Sequence, residues 1–508
     1  MKQVDLAYIF QQMNASAALE HVRRLDEGWA SLLRGERAPA PLQEVSFAAL
    51  PSVEGQFDLL YAGGGLSLLH ALAMQQAGWR VLLFDERVVG ATHREWNISR
   101  PEIEVLVEAG LFSWAELEKV ITRQYERGFI RFHHPHGKDV EFDLPGVLDV
   151  AIDATALLAL ARRKLEAAGG VVWEKCRFEQ AWLAHNGQAR AVVRMRQATG
   201  KAHYIGAKLL VNGMGALSPL SLALAGKRLP LEGVCPTVGT VAHGFAQGEV
   251  NSQVGEILVT LEGARAGKQL IWEGFPTRDD HFTTYLFYYD TLHDTAKEDI
   301  ERPHSLHLLF EQYFELLPLY KQFGPNFAHL KPVYGFIPGR HHLDGSLSQQ
   351  TRTARGLLSI GDAASRQNPL TFTGFGSFVR HLPRSTACLH ECLQAGDLEA
   401  ETLATLSAAQ SNLGAMWVMS RFLAPRSHPD DVNSIMRDFT KALAEIGPKR
   451  AADFFLDRAA WRDYVEIMLR TARHRPKVFK EAFEVLGVRG VAQWLEDLVR
   501  WKRAEMGR

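Results

Sequence analysis

Residues 57–86 read FDLLYAGGGLSLLHALAMQQAGWRVLLFDE. DLLYAGGG is a short apolar strand that closes on three glycines. LSLLHALAMQQAG predicts a helix that stops at Gly78, since glycine takes the left-handed position past a helix end. RVLLFDE then predicts a second strand, apolar enough to be covered on both faces. Strand, glycine turn, helix and strand make the βαβ opening of a doubly wound sheet. Such a turn presents backbone amides and a helix N-terminus to a diphosphate, so the segment predicts a dinucleotide site.

The turn fits the dinucleotide fingerprint in two registers, Gly63-x-Gly65-x-x-Leu68 and Ala62-x-Gly64-x-x-Ser67. Asp85 is the 23rd residue of the first and the 24th of the second, and both place a carboxylate near the ribose, as the fingerprint asks. The third position must be small because helix and strand approach closely there. Ser67 meets that demand and Leu68 does not, which favours the second register. Gly64 is then the residue that lets the backbone approach the pyrophosphate. Asp85 accepts from the ribose hydroxyls, with Glu86 as the alternative.

The chain around this unit has 508 residues, enough for two or three structural units. A hydrophobic fraction of 46%, a charged fraction of 23% and a net charge of −1 are those of a globular protein and make no electrostatic case for nucleic acid. Four scattered cysteines (Cys176, Cys235, Cys388, Cys392) do not form a disulfide framework, and Cys388 and Cys392 lack further metal ligands. His133-His134-Pro135-His136 and His341-His342, the latter near Asp344, are expected in surface loops rather than on a metal. The first residues lack the apolar run of a signal peptide, and no 18 apolar residues run together. A cytoplasmic or membrane-peripheral protein with reduced thiols is expected.

The fold class expected is α/β: a dinucleotide-binding Rossmann domain, an interleaved antiparallel sheet domain and a helical C-terminal region. Residues 1–52 are expected as a helical extension, chiefly Ser16 to Leu33. The nucleotide domain is expected from about 53–112, 148–235 and 333–392, with the sheet domain from about 113–147 and 236–332 and the helical region from 393–508. FTTYLFYYD illustrates the alternation of the sheet domain. The chain returns to the first sheet with GLLSIGDAA.

Gly361-Asp362-Ala363 in that segment decides which dinucleotide is expected. In flavoenzymes of the glutathione-reductase type, such a turn brings an aspartate to the ribityl or phosphate end of FAD. Its place after a buried strand, and before a Pro/Gly-rich turn and a helix, favours FAD over NAD. No second Gly-rich fingerprint marks a separate nicotinamide domain.

Three more segments carry a family resemblance: Arg94-Glu95-Trp96-Asn97-Ile98-Ser99-Arg100, Trp272-Glu273-Gly274-Phe275-Pro276, and Asn368-Pro369-Leu370-Thr371-Phe372-Thr373-Gly374-Phe375-Gly376. With the glycine turn and the GDA triplet, residues 55–395 resemble the CruA/CruP type of lycopene cyclase flavoproteins. That branch belongs with the geranylgeranyl reductases and FAD monooxygenases. The departure is Ser67, where related sequences usually have glycine.

The resemblance implies reduced FAD, supplied with electrons by NAD(P)H or another external donor, and an apolar, carotenoid-like substrate. The implied reaction is a proton-initiated cyclisation of a polyene end group without net redox change. The alternative is a monooxygenase or reductase acting on an apolar or aromatic substrate, and a third reading is a flavin-binding accessory protein without turnover. Cyclisation needs a carboxylic acid kept neutral by an apolar site and aromatic faces for the cation. Glu273 is the expected acid. Trp272, Tyr285, Phe287 and Tyr289 are the expected polyene wall, the last three sharing a face by alternation.

In the first segment, Arg94 or Arg100 is the candidate for the FAD pyrophosphate and Asn97 for a flavin or backbone contact. Ser99 is expected to cap the helix that begins near Pro101. Gly374 and Gly376 precede a helix whose amides could face the flavin carbonyl. From Asp457 to Arg508, 12 Lys/Arg stand against 8 Asp/Glu, with Trp461, Trp494 and Trp501 interspersed. That tail is expected to be a helical segment packed on its own domain or resting on an anionic bilayer.

Overall fold

The computed structural model describes residues 4–36, 42–225, 231, 233–292, 304–338, 353–364, 374–408 and 420–506. His341, His342, Asp344 and residues 368–373 lie outside the described residues.

The chain begins with helices α1 (Leu6–Gln12) and α2 (Ser16–Leu33) and strand β1 (Leu42–Val45). Next come β2 (Gly55–Ala62), α3 (Ser67–Gln76) and β3 (Val81–Phe84), the βαβ unit read in the sequence. Leu59 to Ala62 and all four residues of β3 are buried, as a parallel strand covered on both faces requires. Gly78, at φ +91°, ends α3; its N–H donates to Gln75 O and the Trp79 N–H to Met74 O.

The chain then makes two excursions. The first runs through β4 (Trp96–Ile98), α4 (Arg100–Glu108), β5 (Ile121–Gln124), β6 (Arg127–Phe132), β7 (Val140–Leu144) and β8 (Val150–Ile152). It returns by α5 (Ala154–Ala167), β9 (Val171–Trp173), β10 (Cys176–Ala184), β11 (Ala191–Gln197) and β12 (Ala202–Asn212). The second takes in β13 (Gly233–Phe245), β14 (Val254–Val259), β15 (Ile271–Pro276), β16 (Phe282–Phe287), α6 (Leu306–Tyr320) and β17 (Phe323–Pro338). β18 (Leu357–Ser359) and α7 (Gly374–Ala395) bring it back.

Among the described residues the strands form three sheets. The first runs β1-β10-β11-β12-β2-β3-β9, with β18 beside β12; β12, β2, β3 and β9 are parallel. The second contains β13-β16-β15-β14-β6-β7, with β17 against β13. A small sheet, β4-β8-β5, lies in the first excursion.

Two expectations about division need correction. The N-terminal segment is not helical throughout, because β1 pairs in parallel with β10 at the edge of the first sheet. A half-exposed edge strand of four residues behind a Pro-rich link shows too little alternation to be read. The boundaries expected at 236 and 332 fall inside β13 and β17, which carry the second sheet from Gly233 to Pro338.

Apolar packing joins the layers. One face of the first sheet packs on α3, α4, α5 and α7 through Leu59, Leu69, Ile103, Leu158 and Val379. One face of the second packs on α1, α2 and α6 through Val238, Trp272 and Leu286. Ile271 and Phe287, on the opposite face, meet C-terminal helices that include Asp431–Ile446 and Trp461–His474. Among the described residues no strand follows Ser359, and no helix is long and apolar enough to cross a membrane.

Candidate active site

A cavity of ≈ 790 Å³ lies between the first and second sheets. Gly63, Gly64, Gly65, Ser67, Asp85 and Glu86 line it where β2 and β3 end, together with Arg177, Phe178 and Met214. Gly63 has φ +106°, and a Cβ there would sit 2.6 Å from the carbonyl of Gly213, so this position requires glycine. Gly213 in turn approaches Ser67, whose Cβ would lie 2.8 Å from a Cβ on Gly213. The turn is therefore tight at Gly63 and needs a small residue at 67.

The Gly64 N–H donates to Asp85 Oδ2 across 2.8 Å, and the Arg87 N–H donates to Oδ1. Asp85 thus stands at the tip of β3 with its carboxylate held beside the glycine turn. Glu86 is exposed at the rim. Ala62 does not line the cavity; its carbonyl accepts from the Gly213 N–H, so it is a strand residue.

Arg94 and Asp362 meet further along. The Arg94 guanidinium donates to Phe336 O at 3.4 Å and crowds Gly335. Burial raises the Asp362 carboxyl above the usual carboxylate range, against the pull of Arg94. Among the described residues the buried Asp362 Oδ1 has no hydrogen-bond partner, and Asp362 lines the cavity. Gly361 and Gly374 line the same region.

Two expected contacts do not reach the cavity. Arg100 lies over the Trp114 ring at 4.0 Å and pairs with Glu118 at 3.1 Å, since the helix it begins turns its side chain outward. Gly376 faces α4, where a Cβ would run into the Glu102 carboxylate; two residues along a helix turn the position well away from Gly374. Ser99 accepts from the Leu148 N–H, while its own N–H donates to Glu102 Oε2, a capping arrangement at the start of α4.

Glu273 stands at the centre of β15 and lines the cavity at 5% exposure. Asn97 Nδ2 donates to its Oε1 at 3.0 Å. Burial pushes the carboxyl up to about 8, with the Asn97 bond opposing the shift. The protonated form is therefore favoured at pH 7. Tyr285 lines the same wall; its hydroxyl accepts from the Glu95 N–H and donates to Glu95 O.

The expected aromatic wall is otherwise misplaced. Trp272 points to the opposite face of β15 and stacks on Tyr320 of α6 at 4.5 Å. Phe287 and Tyr289 share the face of Tyr285 but lie farther along it, buried against the C-terminal helices. One aromatic pair that does line the cavity is Trp96 on Phe375, stacked at 4.7 Å. Sequence reading missed that pair, although each residue stands inside a motif it singled out. It also missed His21, Arg24, Leu25 and Gly28 of α2, which form one wall. Their spacing of three and four residues was the available signal.

His133 lies 3.2 Å from Asp139, and among the described residues no three His, Cys, Asp or Glu gather to hold a metal. The tail tryptophans turn inward. Trp501 is buried against Tyr464, and Trp494 Nε1 donates to the Tyr464 hydroxyl.

No family model matches the chain, and no curated protein sequence does. Solved structures match along most of its length. A geranylgeranyl bacteriochlorophyll reductase-like protein of Thermoplasma acidophilum superposes with a TM-score of 0.60 at 15% identity, covering 85% of this chain and 99% of that one. Halogenase PltM in complex with phloroglucinol and FAD gives 0.57 at 12% identity, covering 89% and 93%. The fold is that of FAD-binding Rossmann-type enzymes. A flavoprotein/dehydrogenase of Cytophaga hutchinsonii shares it as well, with a TM-score of 0.53 at 11% identity over 87% of this chain and all of that one.

Proposed function

We propose that the cavity holds FAD and that Glu273 acts beside it as a buried general acid, cyclising the end group of a carotenoid of the lycopene type. The observation that carries this reading is a buried carboxyl on a cavity wall, its pKa raised by burial and its orientation set by Asn97. Support for the cofactor comes from the glycine turn with Asp85, from the buried Oδ1 of Asp362, and from PltM, which shares the fold and is seen with FAD. Asp85 and the Gly64–Gly65 backbone would hold the adenosine half, and Asp362 and Arg94 the ribityl and phosphate region. When bound and reduced by NAD(P)H or another donor, FAD supplies negative charge next to the polyene.

The chain's own residues do the rest. Oε1 of Glu273 is occupied by Asn97, which leaves the acidic proton on Oε2 to be given to a terminal double bond. The faces of Trp96, Phe375 and Tyr285 can stabilise the tertiary cation formed. Ring closure and loss of a ring proton then give a product of unchanged mass. Such a substrate dissolves in membranes. On this reading contact falls to the helix Val478–Met506, where Leu495 and Val499, one turn apart, are 51% and 48% exposed close in sequence to Lys502 and Arg503.

A second reading, oxygenation, halogenation or reduction of an apolar substrate, draws support from structures of the same fold that are named reductase, halogenase and dehydrogenase. Expression in lycopene-producing bacteria separates the two. Cyclisation changes pigment retention without changing mass, whereas hydroxylation adds oxygen and reduction adds hydrogen. Unaltered pigment with the wild-type chain sinks the cyclase reading, and full activity in Glu273→Gln removes the acid.

A further inference from the structure

Helix α2 has two working faces. Leu19 and Val22 enter the apolar cluster of α6. Asp26 caps α6, accepting from Ser305 Oγ at 2.6 Å, Leu306 N at 2.8 Å and His307 N at 3.0 Å. Trp29 Nε1 donates to His304 Nδ1 at 3.1 Å, and its ring stacks on Phe336 at 4.9 Å. These contacts fix the helix to the second sheet's domain. Its other face, with His21, Arg24, Leu25 and Gly28, lines the cavity.

Facing it, the segment after β3 brings Arg87 and Arg94 to the same cavity. Among the described residues no carboxylate lies within ion-pair distance of Arg24 or Arg94, and Arg87 has only Asp85 at 3.9 Å. Arg24 and Arg87 line the same cavity as the hydrogen-bonded pair His21 and Tyr334. The His21 imidazole is lowered first by burial and then by Arg87 and Arg24, and both cations also act on Tyr334, whose hydroxyl bonds His21 Nδ1. The acids nearby do not cancel this charge. Glu95 pairs with Lys331, burial raises the Glu273 carboxyl, and Asp85, held by two backbone amides, offsets part of the Arg87 charge from 3.9 Å. Asp362, on the same cavity wall, is raised by burial against the pull of Arg94, and among the described residues that leaves Glu86, exposed to water at the rim.

We propose that α2 forms the outer wall of the cofactor site and that Arg24, with Arg87 opposite, binds the diphosphate of FAD. The inference rests on the FAD reading and adds to it that the N-terminal helices are part of the site. Two guanidinium groups, each donating charge-assisted hydrogen bonds, complement the dianion that the glycine turn receives.

The test is titration of the flavin-free, full-length protein with FAD and with riboflavin, followed by flavin fluorescence. In Arg24→Ala and Arg87→Ala the Kd for FAD should rise about ten- to a hundredfold, while riboflavin, which lacks phosphate, binds as before. The double variant should also lose most of the salt dependence of FAD binding. Gly28→Trp projects into space where nothing lies within 4 Å of a Cβ and should weaken both flavins, and Gly28→Ala should weaken neither. An unchanged FAD affinity in the double variant, or an equal loss for riboflavin, overturns the proposal. A wild-type chain that binds neither flavin overturns the FAD reading itself.

Discussion

Asn97 Nδ2 donates to Oε1 of Glu273 across 3.0 Å, tying β4 of the first excursion to β15 of the second. The bond favours the ionised carboxyl, yet burial outweighs it and holds the group near 8. A general acid must be protonated, so the rate of product formation should fall as pH rises through about 8. Glu273→Gln should lower that rate by about 100-fold or more while flavin binding persists. Asn97→Leu removes the interaction that lowers the pKa, so its falling limb should move to higher pH. A limb that stays in place, or moves to lower pH, would contradict the assignment.

The same carboxyl should leave a mark on stability. Its folded pKa lies above the unfolded value, so the contribution is fully present below the unfolded pKa of about 4.3. It is lost as pH rises towards about 8, a penalty on the order of a few kcal/mol at the alkaline end. Glu102, Asp149 and Asp362 are raised by burial as well, so the wild-type profile alone is not specific. The difference between wild type and Glu273→Gln isolates the term. Urea unfolding from pH 5 to 8.5 should show the glutamine variant losing less stability over that range.

The βαβ unit was legible because every local signal agreed: two apolar strands, a glycine turn between them, and Gly78 after the helix. Glu273 was legible for another reason, since a carboxyl between apolar neighbours in a strand must be either buried or on the outer face. The sequence could not say which way β15 turned, and that is why Trp272 was placed in the cavity beside Glu273. Neighbours in a strand point to opposite faces, so only one of the two could be there. The wall formed by α2 depends on Asp26 meeting Leu306 of α6 and Trp29 meeting Phe336 of β17, residues far apart in the chain. No local pattern carries that information.

The placement of Trp272 has a direct consequence. Its ring is 2% exposed and stacks on Tyr320, so Trp272→Leu should lower thermal stability markedly, in the range of about 3 kcal/mol for loss of a large buried aromatic. The flavin affinity of the protein that remains folded should be unchanged. Trp96→Leu should behave in the opposite way, with a small loss of stability and a large loss of substrate turnover, because that ring is part of the cavity wall against Phe375. Thermal melts and activity per folded molecule, taken side by side, distinguish the two tryptophans.

Gly63 offers the sharpest test of the turn. Its φ of +106° is already unfavourable for any other residue, and a Cβ would meet the Gly213 carbonyl at 2.6 Å, backbone against backbone. Neither partner can swing aside, because the Gly213 N–H is bonded to Ala62 O and the Gly63 N–H to Phe84 O. Gly63→Ala should therefore destabilise the fold by about 2–4 kcal/mol and remove flavin binding together with it. Ser67→Gly restores the residue usual at the third fingerprint position, deleting a hydroxyl that donates to Gly63 O. It should keep flavin binding within a few-fold and cost about 1 kcal/mol through the lost bond and a glycine at the helix start. If Gly63→Ala bound flavin normally with an unchanged melting temperature, the tight approach of the turn to Gly213 would be wrong.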